Sequence, residues 1–466
     1  MDREESSGAT QASLLQNTRS SGTVTCFLAL AFGFLTPCLG EAQVGAAEQQ
    51  ETVRFATFNV SLYGQNHSEV ASRLASRGDP QISAVAEIIR HVRPDVLLLN
   101  EFDFPSVATG PVEPTAESRL QLLKLFQQNY LETPQTDGDP TAKASEPIRF
   151  AHRFTAPVNT GVHSGFDLDR NGSTDPNPGS ADYSGDCWGY GAYPGQYGMA
   201  VLSRYPIDYQ GIRTFQQFLW KDMPGAKLPN DPAGAEAAGW YSKEALAGFR
   251  LSSKSHWDVP IVIGSRRLHL LASHPTPPVF DGPEDRNGRR NHDEIRLWAD
   301  YLSGGETAAY LYDDQGRRGG LDPETLFLVA GDLNCDPVDG EGGAAIQQLL
   351  KHPKIEPLPV PASAGAAEQA RLQGGANAGH AGSHSHDTCD PPDADGPGNL
   401  RLDYVLPSQG LRIKGSGVFW PESADPLFGL VGTHPFPSSD HRLVWIDVIM
   451  GARSSITAAS QKSADH

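Results

Sequence analysis

The sequence predicts an α/β fold, and two patterns of apolar residues support this prediction. Residues 95–99 and 325–330 are apolar at nearly every position, a pattern typical of strands buried on both faces of a sheet. Other segments carry apolar residues three or four positions apart, which indicates helices with one buried face. Strands that alternate with such helices predict sheets covered by helices.

Six runs are predicted as strands and three segments as helices. The strands are residues 54–60, 95–99, 268–273, 325–330, 402–405 and 443–448. The helices are marked by apolar residues that share one face: Ile82, Val85, Ile89 and Val92 before Pro94, then Leu120, Leu123, Phe126 and Tyr130, and then Ile295, Trp298 and Leu302 after Asn291. The length of the chain, 466 residues, is sufficient for one large domain.

Acidic and amide side chains stand directly beside three of these strands. They occur in Asn100-Glu101, in Gly331-Asp332-Leu333-Asn334 and in Ser439-Asp440-His441. Ligands of α/β folds commonly bind at strand ends, so these side chains predict a site there. Carboxylates alone would repel a phosphate ester, whereas hard oxygen ligands suit Mg²⁺, Mn²⁺ or Ca²⁺. The strings therefore indicate a metal-dependent phosphate-ester site.

Taken in order, the strings resemble the endonuclease/exonuclease/phosphatase superfamily, which includes deoxyribonuclease I, abasic-site endonucleases, sphingomyelinases and inositol-polyphosphate 5-phosphatases. The matching strings are Phe58-Asn59, Glu101, Leu271-Ala272-Ser273-His274, Gly331-Asp332-Leu333-Asn334, Leu402-Asp403-Tyr404-Val405 and Ser439-Asp440-His441. The resemblance covers roughly residues 53–449. It implies a four-layer sandwich of two mixed β-sheets covered by helices, as in deoxyribonuclease I.

The resemblance also implies roles for single residues. Glu101 would be the principal ligand of a catalytic Mg²⁺ or Mn²⁺, and Asn59 and Asp440 would support the metal environment. Asp403 would orient His441 and raise its basicity, so that the imidazole can activate water.

Further implied roles concern the water and the phosphate. Asp332 competes with His441 as the group that activates or orients the attacking water, and both assignments stay open. Asn334 and His274 resemble groups that hold the scissile phosphate, and His274 could also protonate the departing oxygen. Such donors, together with the metal, stabilise charge on the phosphoryl oxygens.

Composition divides the chain into three parts. Residues 1–46 are predicted to be a signal peptide and leader, because Arg19 precedes an apolar stretch, residues 24–35, that is too short to span a membrane. Residues 47–450 are expected to form one domain, and residues 451–466 a polar tail. No later segment approaches the length of a membrane helix, so a secreted or periplasmic protein is expected.

Long loops are expected around the site. Five segments are rich in Gly, Pro, Asp and Ala, and loops of this length are usually functional or disordered. They are residues 105–116, 133–147, 157–196, 222–239 and 361–399. We expect them to determine substrate choice.

Three cysteines follow the predicted leader. Cys335 directly follows Asn334 and is expected to pack behind the site. Cys187 and Cys389 lie in predicted loops, where they either pair in an oxidising compartment or remain free thiols. The sequence leaves both alternatives open.

One further motif resembles the front half of a calcium loop. Oxygen-bearing side chains alternate, and Gly172 stands at the sharp turn. The candidate ligands are Asp167, Asp169, Asn171, Ser173 and Asp175. Pro178 occupies the twelfth position, where a glutamate is expected, so a structural Ca²⁺ would need a ligand from elsewhere in the fold. The alternative is an Asx-rich surface turn.

A second polar cluster contains His380, His384, His386 and Asp387. A transition metal is one interpretation of this composition. A polar loop is the preferred interpretation, because no matching ligand spacing follows the cluster.

The formal net charge of −19 bears on the partners of the chain. An acidic surface repels polyanions, so nucleic acid is expected at most as a substrate and not as a tight partner. Arg286, Arg289 and Arg290 form the best local group for binding phosphate, and the alternative is the solvated start of the third helix. None of these patterns indicates an oligomeric state.

The leading functional hypothesis is a divalent-metal-dependent phosphoesterase outside the cytoplasm that hydrolyses phosphodiester bonds, as nucleases do. The alternatives are a phosphomonoesterase of the same fold, acting on an inositol phosphate or a similar compound, and a non-catalytic calcium-binding extracellular protein. The joint presence of the implied catalytic residues favours an enzyme. Nucleic acid, lipid headgroups, inositol phosphates and small diesters all remain possible substrates.

Overall fold

The computed structural model describes residues 51–450 except 67, 105–119, 134–144, 235–238, 357–358 and 392–395. The strands are β1 (Glu51–Leu62), β2 (Val96–Phe102), β3 (His152–Phe154), β4 (Met199–Ser203), β5 (Arg213–Thr214), β6 (His256–Ile263), β7 (Arg266–Ser273), β8 (Leu326–Asp332), β9 (Asp403–Pro407), β10 (Arg412–Val418) and β11 (Val444–Met450). The helices are α1 (Glu69–Ala75), α2 (Pro80–Val92), α3 (Gln121–Phe126), α4 (Lys243–Gly248), α5 (Arg286–Ser303), α6 (Gly343–Leu350) and α7 (Ala364–Gln373). The predicted leader, polar tail and 105–116 loop lie outside the described residues.

The strands form two mixed sheets. The first sheet has the order β10-β11-β1-β2-β4-β3, and β1 and β2 are its parallel pair. The second has the order β5-β6-β7-β8-β9, with β7 and β8 parallel. The remaining neighbours are antiparallel. Each sheet therefore has one parallel pair near its centre.

Two apolar cores fill the space between the four layers, and the first core contains residues of both sheets. Val85 of α2 and Leu270 of β7 belong to the core that also contains residues of the first sheet. The next residue, Leu271, packs instead with Trp298 of α5 on the other side of the second sheet. Successive side chains of a strand point to opposite faces, which explains this division. The predicted four-layer sandwich of two mixed sheets covered by helices is confirmed.

Local sequence explains the bounds of α2. Asp79 caps its start by accepting from the Ile82 amide (3.0 Å), and Pro80 occupies the first turn, where no amide partner is needed. The helix ends at Val92, and the next residue, Arg93, has a left-handed φ of 54° directly before Pro94. The apolar face predicted for this segment is buried in the core.

Several elements differ from the sequence prediction. Helix α7 lies inside the segment 361–399, which was predicted as a loop, so that part of the prediction is wrong. Helix α5 begins at Arg286 and not after Asn291. Strands β3, β4, β5, β6 and β10 were not predicted. In β6, Asp258 and Pro260 interrupt the apolar pattern, and Asp258 is accommodated by hydrogen bonds from neighbouring elements.

The three cysteines of the described chain are free and buried. The alternative of a Cys187–Cys389 disulfide is therefore wrong for this structure, and free thiols are observed. The Cys187 thiol donates to the Tyr183 carbonyl oxygen (3.3 Å), and burial raises its pKa to about 12. Cys335 is fully buried, as expected. Within the described part of the chain, every helix is too short or too polar to cross a membrane.

His256, the first residue of β6, is buried in its neutral form. Its Nε2 donates to the Glu294 carbonyl oxygen (2.9 Å), so its Nδ1 accepts from the Ser252 hydroxyl (2.7 Å). Burial lowers the pKa of His256 to about 4. The imidazole therefore stays neutral in the folded protein at a pH where it is protonated in the unfolded chain.

We expect the protein to lose stability as the pH falls from about 6.5 to about 4. Over that interval the unfolded chain binds a proton at His256 that the folded protein does not, so acid favours unfolding by up to about 3 kcal/mol. Thermal melts of the wild type and of His256→Gln between pH 4 and 7 measure this effect. The melting temperature of the wild type should fall more steeply; parallel curves would contradict the assignment.

Candidate active site

The candidate site lies where strands of both sheets have their ends. The parallel strands β1 and β2 carry Asn59 and Glu101 near their C-terminal ends, and β7 and β8 lead to His274 and Asp332. Strand β9 is antiparallel to β8 and starts with Asp403, which is the register partner of Asp332. An antiparallel strand begins at the edge of the sheet where its neighbour ends, so the first residue of β9 lies beside the last residue of β8. Residues from distant parts of the chain therefore meet at this edge.

Three groups form the centre of the site. Glu101, His274 and Asp332 each offer a ligand atom, and these atoms lie within 4.8 Å of one another. His274 Nε2 is 3.3 Å from Asp332 Oδ2 and 4.0 Å from Glu101 Oε1. Asn59 donates from Nδ2 to Asp332 Oδ2 (3.0 Å). The structure thus brings together four residues that the sequence predicted to share a site.

Two site residues have left-handed backbone conformations. The φ angle is 55° at Glu101 and 54° at Asn334, values that are uncommon for residues with a side chain. Asn334 donates from its amide to Asp332 Oδ1 (3.0 Å) and from Nδ2 to the Pro275 carbonyl oxygen (3.0 Å). Such conformations cluster at functional sites, where the surrounding structure holds them.

Gly331 allows the neighbouring strands β7 and β8 of the second sheet to approach each other closely at the site. Its φ is 146°, and a Cβ atom at this position would lie 1.9 Å from the Ser273 carbonyl oxygen. Only glycine permits this close approach of β8 to β7. Packing therefore requires the glycine of the Gly-Asp-Leu-Asn string, whereas Asp332 supplies a carboxylate to the site.

His441 and Asp403 form a buried pair. The His441 Nδ1 is 2.8 Å from Asp403 Oδ2, and its Nε2 is 3.7 Å from Asp332 Oδ2. Thr388 donates its hydroxyl to the same Asp403 oxygen (2.9 Å). Burial by itself would lower the pKa of His441, but the neighbouring Cys389, Asp403 and Asp332 outweigh burial and hold it well above its ordinary value. The pairing predicted for Asp403 and His441 is present.

His274 has the opposite electrostatics. Burial, together with Lys254 and His441, lowers the pKa of His274 well below its ordinary value. Its Nδ1 is buried without a hydrogen-bond partner among the described residues. A neutral imidazole donates or accepts a hydrogen bond, whereas donating a proton to a leaving oxygen requires the imidazolium form. This electrostatic environment favours the phosphate-holding role over the protonating role.

Asp440 lies at the rim of the same site. Its Oδ1 accepts from the Ser61 hydroxyl (3.2 Å) and lies 3.4 Å from the Ser439 hydroxyl oxygen. The Ser439 hydroxyl donates to the Asn59 carbonyl oxygen (2.8 Å). These contacts connect the segment before β11 to the end of β1. Asp440 and Asn59, both predicted around the metal, are therefore held by one network.

The donor set fits a divalent cation. Burial, reinforced by the charge of Asp440, raises the pKa of Glu101 to about 7. Carboxylates that repel one another in a buried site are stabilised by a positive ion between them. Glu101 and Asp332 supply hard oxygen donors, which suit Mg²⁺ or Mn²⁺. The residues present therefore fit the catalytic metal that the sequence predicted.

Sequence reasoning missed Lys254 and Tyr63. Lys254 is 6% exposed and interacts electrostatically with Glu101 and Asp332, while burial lowers the pKa of its ammonium group. The hydroxyl of Tyr63 has a raised pKa, through burial and then through Glu101 and Asp440, and its ring packs on Tyr197 with centroids 4.6 Å apart. The polar Ser-Ser-Lys-Ser string before β6 was the available signal for Lys254.

The predicted arginine cluster does not act as one group. The Arg290 guanidinium is buried and donates to the carbonyl oxygens of Leu251 (2.8 Å) and Trp188 (2.5 Å). Backbone oxygens thus occupy its Nε and Nη2 donors, and phosphate binding by Arg290 remains a prediction. Arg286 pairs with Glu284, and Arg289 with Asp285 (3.6 Å). Phosphate binding by Arg286 and Arg289 remains a prediction.

The calcium-loop motif and the histidine cluster of residues 380–387 both lie in irregular segments. In the calcium-loop motif, Ser173 donates its amide to Asn171 Oδ1 (2.8 Å), and Asp175 Oδ1 accepts from the Asn177 amide (2.9 Å), as in Asx turns. In the histidine cluster, the rings of His380 and His384 pack against each other with centroids 5.6 Å apart, and the side chains also make local contacts. His384 Nδ1 contacts Asp387 Oδ2 (3.2 Å), His380 Nε2 contacts the Pro397 carbonyl oxygen (2.7 Å), and His386 lies in a single 3₁₀ turn.

Comparison with known proteins identifies relatives of this fold. The model of the Endonuclease/Exonuclease/phosphatase family matches residues 56–441. Similar solved structures include an endonuclease/exonuclease/phosphatase from Beutenbergia cavernae, with 16% identity, coverage of 86% of this chain and 72% of that chain, and a TM-score of 0.43. Sphingomyelinase C from Streptomyces griseocarneus has 13% identity, coverage of 85% and 99%, and a TM-score of 0.40. TDP2 from Caenorhabditis elegans has 14% identity, coverage of 86% and 75%, and a TM-score of 0.37. No curated protein matches the chain.

Proposed function

Because the chain belongs to the endonuclease/exonuclease/phosphatase family, we propose that it is a divalent-metal-dependent phosphoesterase that hydrolyses phosphodiester bonds. The observation that carries this proposal is the convergence of Glu101, His274, Asp332, Asp403 and His441 at one edge of the two sheets. We also propose that the protein acts outside the cytoplasm, on the basis of its apolar leader.

The metal would be held by Glu101, with Asp332, Asn59 and Asp440 around it. When bound, the cation supplies positive charge that stabilises the negative charge developing on the phosphate oxygens. Carboxylate and amide oxygens make Mg²⁺ or Mn²⁺ the expected ion. The protein contributes the rigid strand ends that keep these oxygens in place.

Around the phosphate, the side chains have distinct tasks. His441, held by Asp403 through Nδ1, presents its Nε2 toward Asp332, so these two groups together can accept the proton of an attacking water. We assign to His274 and to the second Nδ2 hydrogen of Asn334 the donation of hydrogen bonds to the phosphate oxygens, since the first is given to the Pro275 carbonyl oxygen. The activity of His441→Ala decides whether His441 or Asp332 is the base.

We assign Lys254 to the binding of the substrate phosphate. Lys254 is buried and interacts electrostatically with Glu101, Glu294 and Asp332, and a charged hydrogen bond to phosphate would offset the cost of burying its ammonium. Lys254→Gln is expected to lower kcat/KM by about 10- to 100-fold, the loss of one charge-assisted hydrogen bond. Initial rates over a range of substrate concentrations measure this value. Lys254→Arg is the matched control that retains the charge; equal activity of Lys254→Gln and wild type would exclude this role.

A substrate panel tests the proposed function. The protein lacking residues 1–46 is assayed with bis(p-nitrophenyl) phosphate, p-nitrophenyl phosphate and plasmid DNA, with Mg²⁺, Mn²⁺, Ca²⁺ or EDTA. Metal-dependent cleavage of the diester is expected. Faster cleavage of the monoester would identify a phosphomonoesterase instead. If none of these is cleaved, lipid headgroups and inositol phosphates are tested next, and failure with these too would support the non-catalytic calcium-binding protein.

A further inference from the structure

A second cluster of carboxylates lies in the irregular segment between β3 and β4 and contains none of the residues of the candidate active site. Asp167, Asp169 and Asp186 each place a carboxylate oxygen within 4.8 Å of the others. The first two belong to the calcium-loop motif of the sequence. Asp186 lies 17 positions beyond Asp169 and was not among the predicted ligands. Asp175, which was predicted, is not part of this group.

The carboxylate of Asp186 is buried and only partly hydrogen-bonded. The residue has no exposed surface, and its Oδ2 is buried without a hydrogen-bond partner among the described residues. Its Oδ1 accepts from the Leu168 amide (2.7 Å), which fixes the carboxylate against the motif. A buried carboxylate oxygen that lacks a donor is unfavourable without a positive partner, and two further carboxylates lie within 4.8 Å of the Asp186 carboxylate.

The backbone around Asp186 is shaped to bring Asp169 close. A Cβ atom on Gly185 would lie 2.1 Å from Asp169 Oδ2, so any larger residue would displace that carboxylate. The backbone amides of Asn171 and Gly172 donate to Asp167 (3.1 and 3.0 Å) and hold it in the cluster. The calcium-loop motif and the turn that contains Asp186 thus bring three carboxylates of like charge close together.

We propose that Asp167, Asp169 and Asp186 bind a structural Ca²⁺ ion. Carboxylate oxygens on irregular backbone suit Ca²⁺, which accepts six to eight oxygen ligands in flexible geometry, better than Mg²⁺, which requires a near-ideal octahedron. Asp186 is the ligand from elsewhere in the fold that the truncated motif requires. The ion ties the motif to the turn at Ser184–Asp186 and closes the intervening loop.

The experiment measures Ca²⁺ binding apart from the candidate active site. Glu101→Gln serves as the parent protein, because it removes the main charged ligand of the other site. Titration calorimetry with CaCl₂ and thermal melts with and without Ca²⁺ compare this parent with versions that also carry Asp186→Asn or Asp167→Asn. Asp182→Asn, a change of equal charge in the same segment, is the matched control.

The parent and the Asp182→Asn control should bind one Ca²⁺ and melt at a higher temperature when it is present. Asp186→Asn should weaken the Kd at least about tenfold and abolish the rise in Tm, because affinity follows the number of charged ligands. Asp167→Asn, at an exposed position, should do the same even if Asp186→Asn fails to fold. The proposal is overturned if the parent shows neither binding nor a rise in Tm, or if Asp167→Asn binds Ca²⁺ as tightly as the parent.

Discussion

His441→Ala is expected to lower kcat by about 10²- to 10⁴-fold while the protein stays folded, the range typical for the loss of a general base. The imidazole lies between two carboxylates, with Nδ1 held by Asp403 at 2.8 Å and Nε2 3.7 Å from Asp332. Alanine removes the group that accepts a proton and leaves the acidic residues in place. The measurement is kcat with the preferred diester at saturating Mg²⁺, beside a thermal melt of each protein.

Two controls separate catalysis from structure in this experiment. His434→Ala removes an exposed histidine from the segment before His441 and should leave kcat unchanged. Asp403→Asn keeps the hydrogen-bond acceptor but removes the charge that raises the pKa of His441, so the acidic limb of the pH–rate profile should shift to lower pH. A kcat for His441→Ala within about threefold of wild type would exclude His441 as the base and leave Asp332 in that role.

Glu101→Gln is expected to weaken the apparent Mg²⁺ affinity and to reduce the activity at limiting Mg²⁺ by about 100-fold or more, since even outer-shell changes at metal sites cost about 10- to 100-fold. Glutamine keeps the size of the side chain and one oxygen, but it removes the negative charge. The measurement is the rate as a function of Mg²⁺ concentration. Glu306→Gln, an exposed change of the same kind, is the matched control.

Stability provides a second readout for Glu101. Burial and the charge of Asp440 raise the pKa of Glu101 to about 7, so in EDTA its ionised form is disfavoured near neutral pH. Glu101→Gln should therefore melt no lower than wild type in EDTA, and it should gain less from added Mg²⁺. Wild-type activity at limiting Mg²⁺ together with an unchanged response of Tm to Mg²⁺ would remove Glu101 from the metal site.

Much of the fold and of the candidate site could be predicted from the sequence, because the relevant signals are short and local. Continuous apolar runs predicted β2 and β8, which are buried on both faces. The strings that follow them contain Glu101 and Asp332, whose side chains meet in the structure. Strand β6 escaped prediction, since its polar residues are satisfied by partners distant in sequence, such as Tyr301 at Asp258.

Tertiary structure alone decided which polar groups are available for chemistry. Arg290 and Arg286 are both basic in the sequence, yet Arg290 donates to backbone carbonyl oxygens in the interior and Arg286 pairs with Glu284. Lys254 and Asp186 carry little local signal, and their roles follow from the charges that other segments bring to them. The sequence by itself determines which residue types follow each strand. Burial and the distances between segments decide pKa values, pairing and ligand sets, because electrostatic interactions depend on separation in space and on exclusion of water.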